Sequence, residues 1–396
     1  MIVGVVKESY PGERRVALVP AVLPLLVKAG HEVCMEAGAG SRAGYPDPAY
    51  AERGTRIVGA RAQVFAQADV MLQVLGHGAN DRTGGADLPL LRPGQALIGF
   101  LRPLGSPDTV RELAATRVTA FAVELMPRIA RAQGMDALSA MSTVAGYKAL
   151  VLAADTLPRM FPMLMTAAGT VTPAKVLVVG AGVAGLQAIA TARRLGGVVS
   201  AYDVRPAAKE QVESLGARFV ELPLGTQDAE DTRGYARAQD EGFHRRQREL
   251  LARVVAESDV VITTAVVPGR RAPVLLTGEM VAAMPPRSVI VDLAAERGGN
   301  CELTRPGETI EAHEVTIVGA VNLAGAVPYH ASHMYARTLV AFFLHLAKDG
   351  RLRAEADDEI ARETLLTREG EVVHPRVREE LGLPPRVATE ARAKEA

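Results

Sequence analysis

The stretch Lys175-Val-Leu-Val-Val-Gly180-Ala-Gly182-Val-Ala-Gly185 constrains the fold more than any other region of the chain. Residues 176–179 are a short, β-branched apolar run that reads as a buried strand. Gly180-x-Gly182-x-x-Gly185 follows at once, and residues 186–195 carry helical spacing. A second strand, 198–202, leads into Asp203, which stands 18 residues after the third glycine. Strand, glycine turn, helix, strand and acid are in the order that a dinucleotide site requires. The glycines permit a tight turn and bring backbone N–H groups close to a pyrophosphate, and the helix N-terminus adds partial positive charge. Asp203 is placed to accept hydrogen bonds from ribose hydroxyls and to repel a 2′-phosphate, so NAD(H) is expected over NADP(H). Arg205 is close enough to favour that phosphate, but Asp203 is better placed, and Arg205 is read as an adenosine-side contact or a surface charge. The candidate cofactor-binding positions are Gly180, Gly182, Val183, Ala184, Gly185, Asp203, Val204 and Arg205, with Thr264 and Ala265 after a later strand.

Strands alternate with helical patterns on both sides of this motif, which predicts an α/β fold. Strands are expected at 2–6, 32–37, 70–74, 96–100 and 118–123, and again at 259–264, 288–292 and 316–320. A long helix is expected over 138–157, before a break at Pro158, Pro162 and Pro173. The helix expected over 331–346 can return to the first domain. The expected architecture is therefore two Rossmann-like domains with doubly wound parallel sheets. The first domain is discontinuous, 1–137 plus 322–375, and the dinucleotide domain is 138–321. Residues 351–368 read as a small hairpin, and the charged, proline-containing segment 376–396 as a flexible tail.

Composition removes several function classes. With 45 Lys and Arg against 45 Asp and Glu the formal net charge is zero, and there is no Trp, so neither nucleic acid nor an anionic membrane surface is an expected partner. The two cysteines, Cys34 and Cys301, show no metal-ligand spacing and read as small apolar residues, so no metal is expected. The apolar stretch 339–344 is far short of the ~20 residues needed to cross a bilayer. No signal peptide is read at the N-terminus, and a cytoplasmic location is expected.

Two further segments carry candidate chemistry. Residues 124–139 follow the strand 118–123 and hold Arg128, Arg131, Gln133, Asp136 and Ser139 close together. Ligands in open α/β sheets bind beyond the carboxyl ends of strands, which is where this loop lies. Gln133-Gly134 suggests non-helical backbone, and Asp136 or Ser139 is placed to cap the next helix. The polar insertion 225–242 contains Gly234-Tyr235 and reads either as a mobile lid or as a solvated loop.

The strings "ELMPRIARAQGMDALSAMSTVAGYKA" and "FPMLMTAAGTVTPAKVLVVGAGVAGLQAIATARRLGGVVSAYDVRPAAKEQVESLGARF" closely resemble the NAD(H)-binding component of proton-translocating nicotinamide nucleotide transhydrogenase. "VVKESYPGERRVALVP", "VITTAVVPGRRAPVLLTGEMV" and "VIVDLAAERGGNCEL" resemble the same family, and the likeness runs from residue 1 to about 348. The family shares its fold with alanine dehydrogenase. The resemblance implies that Arg128, Gln133, Asp136 and Ser139 form the reaction loop. Asp136 and Ser139 would position the carboxamide or ribose, Arg128 would steady the loop, and Gln133 would reach toward NADP(H) on a partner. It also implies that Gly234-Tyr235 belongs to a mobile loop over the nucleotide. The implied partners are an NADP(H)-binding subunit and transmembrane subunits that couple hydride exchange to proton movement. The implied location is the inner face of the cell membrane, held there through those subunits without direct insertion. A homodimer is implied too, and the apolar content of 140–152 is in keeping with it.

Two other readings are open: an alanine-type amino-acid dehydrogenase and a non-catalytic NAD sensor. Alanine dehydrogenase chemistry must move a proton and hold a carboxylate. The lysine and histidine that its family pattern supplies are absent where Val70–Gly76-His77 and Ile98–Arg102 stand, and Arg15 is common to both patterns. Hydride exchange between two nicotinamides needs no such acid or base, only orientation and exclusion of water.

Overall fold

The computed structural model describes residues 1–221, 241–267, 269–353 and 358–385. The chain divides into two compact units, Met1–Ala140 with Pro328–Ala396, and Met141–Val327.

The first unit opens with β1 (Ile2–Val5), β2 (Glu32–Glu36), β3 (Arg56–Val58), β4 (Val70–Leu75), β5 (Ala96–Phe100) and β6 (Thr119–Ala122). The second begins with a hairpin, β7 (Leu164–Thr166) and β8 (Gly169–Val171). It continues with β9 (Lys175–Val179), β10 (Val198–Tyr202), β11 (Arg218–Phe219), β12 (Val260–Thr263), β13 (Val289–Asp292), β14 (Thr309–Ala312) and β15 (Val315–Gly319). The chain returns to the first unit for β16 (Ala347–Lys348), β17 (Arg351–Leu352), β18 (Leu365–Arg368) and β19 (Glu371–Val372). Three helices matter below: α1 (Ala137–Thr156), α2 (Val183–Arg194) and α3 (Pro328–Leu346).

One large sheet centres each unit. Strands run parallel in the order β3-β2-β1-β4-β5-β6 in the first, and β11-β10-β9-β12-β13-β15 in the second. Both orders are doubly wound, so each sheet has a switch point beyond the carboxyl ends of two central strands: β1 and β4 in one, β9 and β12 in the other. The apolar, β-branched strands are buried on both faces, as a helix-covered parallel sheet demands.

Each sheet also carries antiparallel strands at an edge, which the expectation of parallel sheets does not include. β14 pairs antiparallel with β15, and β18 pairs antiparallel with both β6 and β19. The cause is local. Two-residue turns with both residues at positive φ, His313-Glu314 (52° and 59°) and Glu369-Gly370 (54° and 90°), reverse the chain into tight hairpins.

The C-terminal region corrects two expectations. Residues 351–368 are not a hairpin: β17 pairs with β16, and β18 leaves to extend the first sheet. There Leu366 is fully buried, and Thr367 Oγ1 donates to the Val118 carbonyl at 2.9 Å. A tail does not begin at 376 either, because Pro375–Glu380 is a helix whose Val377 is buried in the first unit's core. Apolar residues in an otherwise charged segment bury themselves on the sheet. Helix α3 buries Tyr335, Leu339, Phe342 and Phe343, and the Tyr335 hydroxyl donates to the Gln73 carbonyl of β4 at 2.7 Å. Helix α1 is long and apolar enough to cross a membrane, and its Ala149, Leu150 and Ala153 are spent in the core of the second unit.

Candidate functional site

In the second unit, β9 runs into the glycine turn at the switch point. Gly180 has φ of +100°, and its N–H donates to the Tyr202 carbonyl of β10 at 2.8 Å. Gly185 faces the turn so closely that a Cβ there would lie 1.9 Å from the Gly180 carbonyl oxygen. Gly182 is the N-cap of α2, no side chain caps that helix, and a Cβ at Gly182 would meet nothing within 4 Å. The first-turn N–H groups of a 12-residue helix therefore face space that a pyrophosphate fits.

Asp203 follows β10 and is almost buried. Its carboxylate accepts from the Ala181 N–H at 2.7 Å and from the Arg205 N–H at 2.9 Å. Arg205 Nε and an Arg205 terminal nitrogen each donate to it at 2.9 Å. Arg205 is thus no loose surface charge, with a side chain 17% exposed against 7% for Asp203. Thr264 and Ala265, after β12, complete the turn's wall, and Thr264 Oγ1 donates to the Gly180 carbonyl at 2.8 Å. Val183, Ala184 and Val204 are half-buried around the same edge. Glycine turn, helix N-terminus and acid thus fit a dinucleotide. Gly234 and Tyr235 lie outside the described residues.

In the first unit, β6 leads into the loop carrying the other candidates. Residues Ala130–Met135 form a 3-10 turn, where non-helical backbone is expected at Gln133-Gly134. Asp136 then caps α1: its carboxylate accepts from the Ser139 N–H at 2.8 Å and from Ser139 Oγ. Asp136 and Ser139 are therefore one locked pair, while Arg128 and Gln133 are exposed on the first unit. Arg131 reaches Asp358 at 3.4 Å, and Asp358 also bonds His345 Nε2 at 2.6 Å.

Two displaced candidates for acid–base work are occupied. His77 Nε2 lies 2.5 Å from Glu112, and the Arg102 N–H is held by Glu124. Cys34 and Cys301 are buried, and burial pushes the Cys301 thiol up to about 11, which leaves no reactive thiolate at neutral pH. A buried pair, Asp292 and Asn300, lies behind the Thr264–Ala265 wall. The only trace of it in the sequence is an acid at the end of a strand, followed by Gly298-Gly299.

Comparison with known proteins agrees with this geometry. Residues 4–145 match the family model "Alanine dehydrogenase/PNT, N-terminal domain", and residues 149–375 match "Alanine dehydrogenase/PNT, C-terminal domain". The first of the chains that make up NAD(P) transhydrogenase subunit alpha in Rhodospirillum rubrum is 46% identical over 378 residues, covering 95% of this chain and 98% of that one. Alanine dehydrogenase of Bacillus subtilis is 30% identical over 394 residues, covering 96% and 95%. Among solved structures, the transhydrogenase from Sinorhizobium meliloti superposes with a TM-score of 0.81 at 43% identity, covering 95% of this chain and all of that one. An L-alanine dehydrogenase superposes at 0.80 with 27% identity, covering 96% and 99%. The fold is thus shared by both enzymes, and the sequence is much nearer the transhydrogenases: the chain belongs to the alanine dehydrogenase/PNT family, on the side of its transhydrogenase alpha subunits.

Proposed function

We propose that this chain is the NAD(H)-binding subunit of a proton-translocating transhydrogenase. NAD(H) bound at the second unit supplies or receives a hydride at its nicotinamide ring, in direct exchange with NADP(H) on a separate subunit. The glycine turn and the α2 N-terminus hold the pyrophosphate, and Asp203 takes the adenosine ribose. Asp136 and Ser139 hold each other rigidly, so the short 3-10 turn before them presents Gln133 at a fixed place. Arg128 steadies that loop.

The observation that carries this reading is the lack, among the first unit's described residues, of acid–base equipment where an amino-acid dehydrogenase needs it. Behind β4 and β5 stand His77, paired with Glu112, and Arg102, whose backbone N–H is held by Glu124. A site rich in positioning groups and poor in proton donors suits exchange between two nicotinamides. Transmembrane partner subunits would couple that exchange to proton movement, and they would hold this chain at the inner face of the cell membrane.

A homodimer belongs to the proposal. The β7–β8 hairpin and its approach expose Met160, Met163 and Met165, the last at 77%, an unusual display of apolar surface. The segment 140–152 supports it less than expected, since Ala149 and Leu150 are spent inside the second unit. Light scattering at micromolar concentration should give the dimer mass.

The decisive experiment mixes the pure chain with a separately prepared NADP(H)-binding partner and follows hydride exchange. Exchange is expected with the partner and not without it. Robust NADH formation from alanine and NAD⁺ by the chain alone would replace this reading with the amino-acid dehydrogenase.

A further inference from the structure

Behind the glycine turn lies a buried polar network that the dinucleotide motif does not include. Asp292 ends β13 with no exposed surface. One carboxylate oxygen accepts from Thr263 Oγ1 at 2.8 Å and from the Ala294 N–H at 2.9 Å. The other accepts from the Asn300 N–H at 2.7 Å, the Cys301 N–H at 3.0 Å and Thr304 Oγ1 at 2.7 Å. The chain curls around this carboxylate at Gly299, where φ is +82° and a Cβ would lie 2.9 Å from Asp292 Oδ2.

The curl aims Asn300, itself fully buried, at the loop after β12. Asn300 Oδ1 accepts from the Ala265 N–H at 2.9 Å, and Nδ2 donates to the carbonyls of Ala265 and Pro273, both at 2.8 Å. One side-chain amide thus grips Ala265 by its N–H and its carbonyl together. The preceding residue, Thr264, donates its N–H to the Val179 carbonyl and its hydroxyl to the Gly180 carbonyl, each at 2.8 Å. Asp292, Asn300, Ala265, Thr264 and Gly180 therefore form one continuous hydrogen-bonded path from a strand end to the turn.

A buried asparagine with every bond satisfied commonly serves folding alone. This one spends its whole side chain on the loop that walls the glycine turn, and none on the sheet. We infer that Asn300 is a positioning residue of the nucleotide site: by fixing Ala265 it holds Thr264 against Gly180 and keeps the turn in its binding shape. This inference rests on the NAD(H) reading of the second unit.

The test titrates NADH into the full-length chain, well below its melting temperature, for Asn300→Ser, Thr264→Val, Thr264→Ser and Asn300→Ser/Thr264→Val. Val212→Ala serves as a control, because Val212 is a fully buried residue of the same unit that is remote from the turn in the hydrogen-bond pattern. Asn300→Ser and Thr264→Val should each weaken NADH about tenfold or more, because misplaced positioning groups are costly. Thr264→Ser, which keeps the hydroxyl, should restore binding, and the double variant should be no weaker than the worse single one. Val212→Ala should lower the melting temperature and leave affinity unchanged. Wild-type affinity in Asn300→Ser despite a lower melting temperature, or additive losses in the double variant, would assign Asn300 to folding alone and overturn the inference. If Asn300→Ser does not fold, wild-type affinity in Thr264→Val overturns it equally. If the unmodified chain itself fails to bind NADH, the nucleotide reading is what falls.

Discussion

The two sheets share one strand order and differ at the switch point. In the first unit, the chain leaving β1 sends the Glu8 carboxylate back over β4, where it accepts the N–H groups of Val74 at 2.6 Å and Leu75 at 3.1 Å. Beyond β5, Glu124 accepts the Leu101 N–H at 2.9 Å. Nearby, Arg15 and Glu13 close a buried bidentate pair. The first sheet thus consumes its strand-end donors with its own carboxylates. In the second unit the same place holds a glycine turn and an uncapped helix N-terminus. Strand order therefore does not decide where a doubly wound sheet binds its ligand. What satisfies the strand-end N–H groups does, because an orphan donor must find either a side chain or a ligand.

The sharpest way to break this contrast is to fill the turn. In Gly185→Ala the added methyl would meet the Gly180 carbonyl at 1.9 Å, so the turn or the helix must move. NADH affinity should fall by more than about 1,000-fold, roughly 4 kcal/mol. Circular dichroism should show the first unit intact. Near-normal NADH titration would mean that the turn is not the seat of binding.

The closed switch point should reveal itself through pH. Burial, aided by the charge of Glu13 and opposed by the Val74 and Leu75 N–H groups, raises the Glu8 carboxyl from 4.5 to about 8. Between those values the folded chain keeps a proton that the unfolded chain has lost. The unfolded state then binds fewer protons, so stability falls as pH rises from about 5 to 8 and levels off above. The loss should be on the order of 3 kcal/mol. Amide exchange at Val74 and Leu75 measures it directly. Glu8→Gln should flatten the slope, even though its amide, facing a backbone donor, lowers stability at pH 5. An unchanged slope in that variant would place the titration elsewhere.

If the second unit binds and the first only orients, their mutations should separate rate from affinity. Gln133→Asn keeps the amide and withdraws it by more than about an ångström, a displacement that can cost on the order of 100-fold in rate. Single-turnover hydride exchange with the NADP(H) partner should slow by about that factor, with NADH affinity little changed. A joint fall of both would dissolve the division of labour between the units.

Legibility in the sequence follows the range of the interactions. The run from Lys175 to Gly185 and the acid at 203 are readable because motif, strand and helix are local. The C-terminal strands escape a sequence reading although Asp349-Gly350 and Glu369-Gly370 are hairpin signals, since both residues of each pair take positive φ. The charge around them masks Leu366 and Val377, whose burial depends on a sheet edge formed hundreds of residues earlier. Glu8 reads as the polar end of a strand, and only the register of β1 against β4 brings it to the Val74 N–H. Asn300 is equally silent, because its partners at 265, 273 and 292 are assembled by the second sheet.

The smallest expected effect concerns the one carboxylate that does reach the open switch point. Asp203 ties the glycine turn at Ala181, yet Arg205 donates hydrogen bonds to both of its oxygens. Ribose hydroxyls must therefore compete with a guanidinium already in place. Arg205→Ala leaves Asp203 its two backbone N–H partners, from Ala181 and from position 205, and returns lone pairs to the sugar. The pair is nearly buried, so the competition is worth about 1 kcal/mol, between an exposed pair and a fully buried one. NADH should bind roughly threefold to tenfold more tightly. NADPH should bind more weakly, because the cation that tempers Asp203 against a 2′-phosphate is gone. Paired titrations of the two nucleotides read both effects, and discrimination should widen. Weaker NADH binding would instead make Arg205 an adenosine contact in its own right, and the second switch point would then owe its affinity to a side chain as well as to its open backbone.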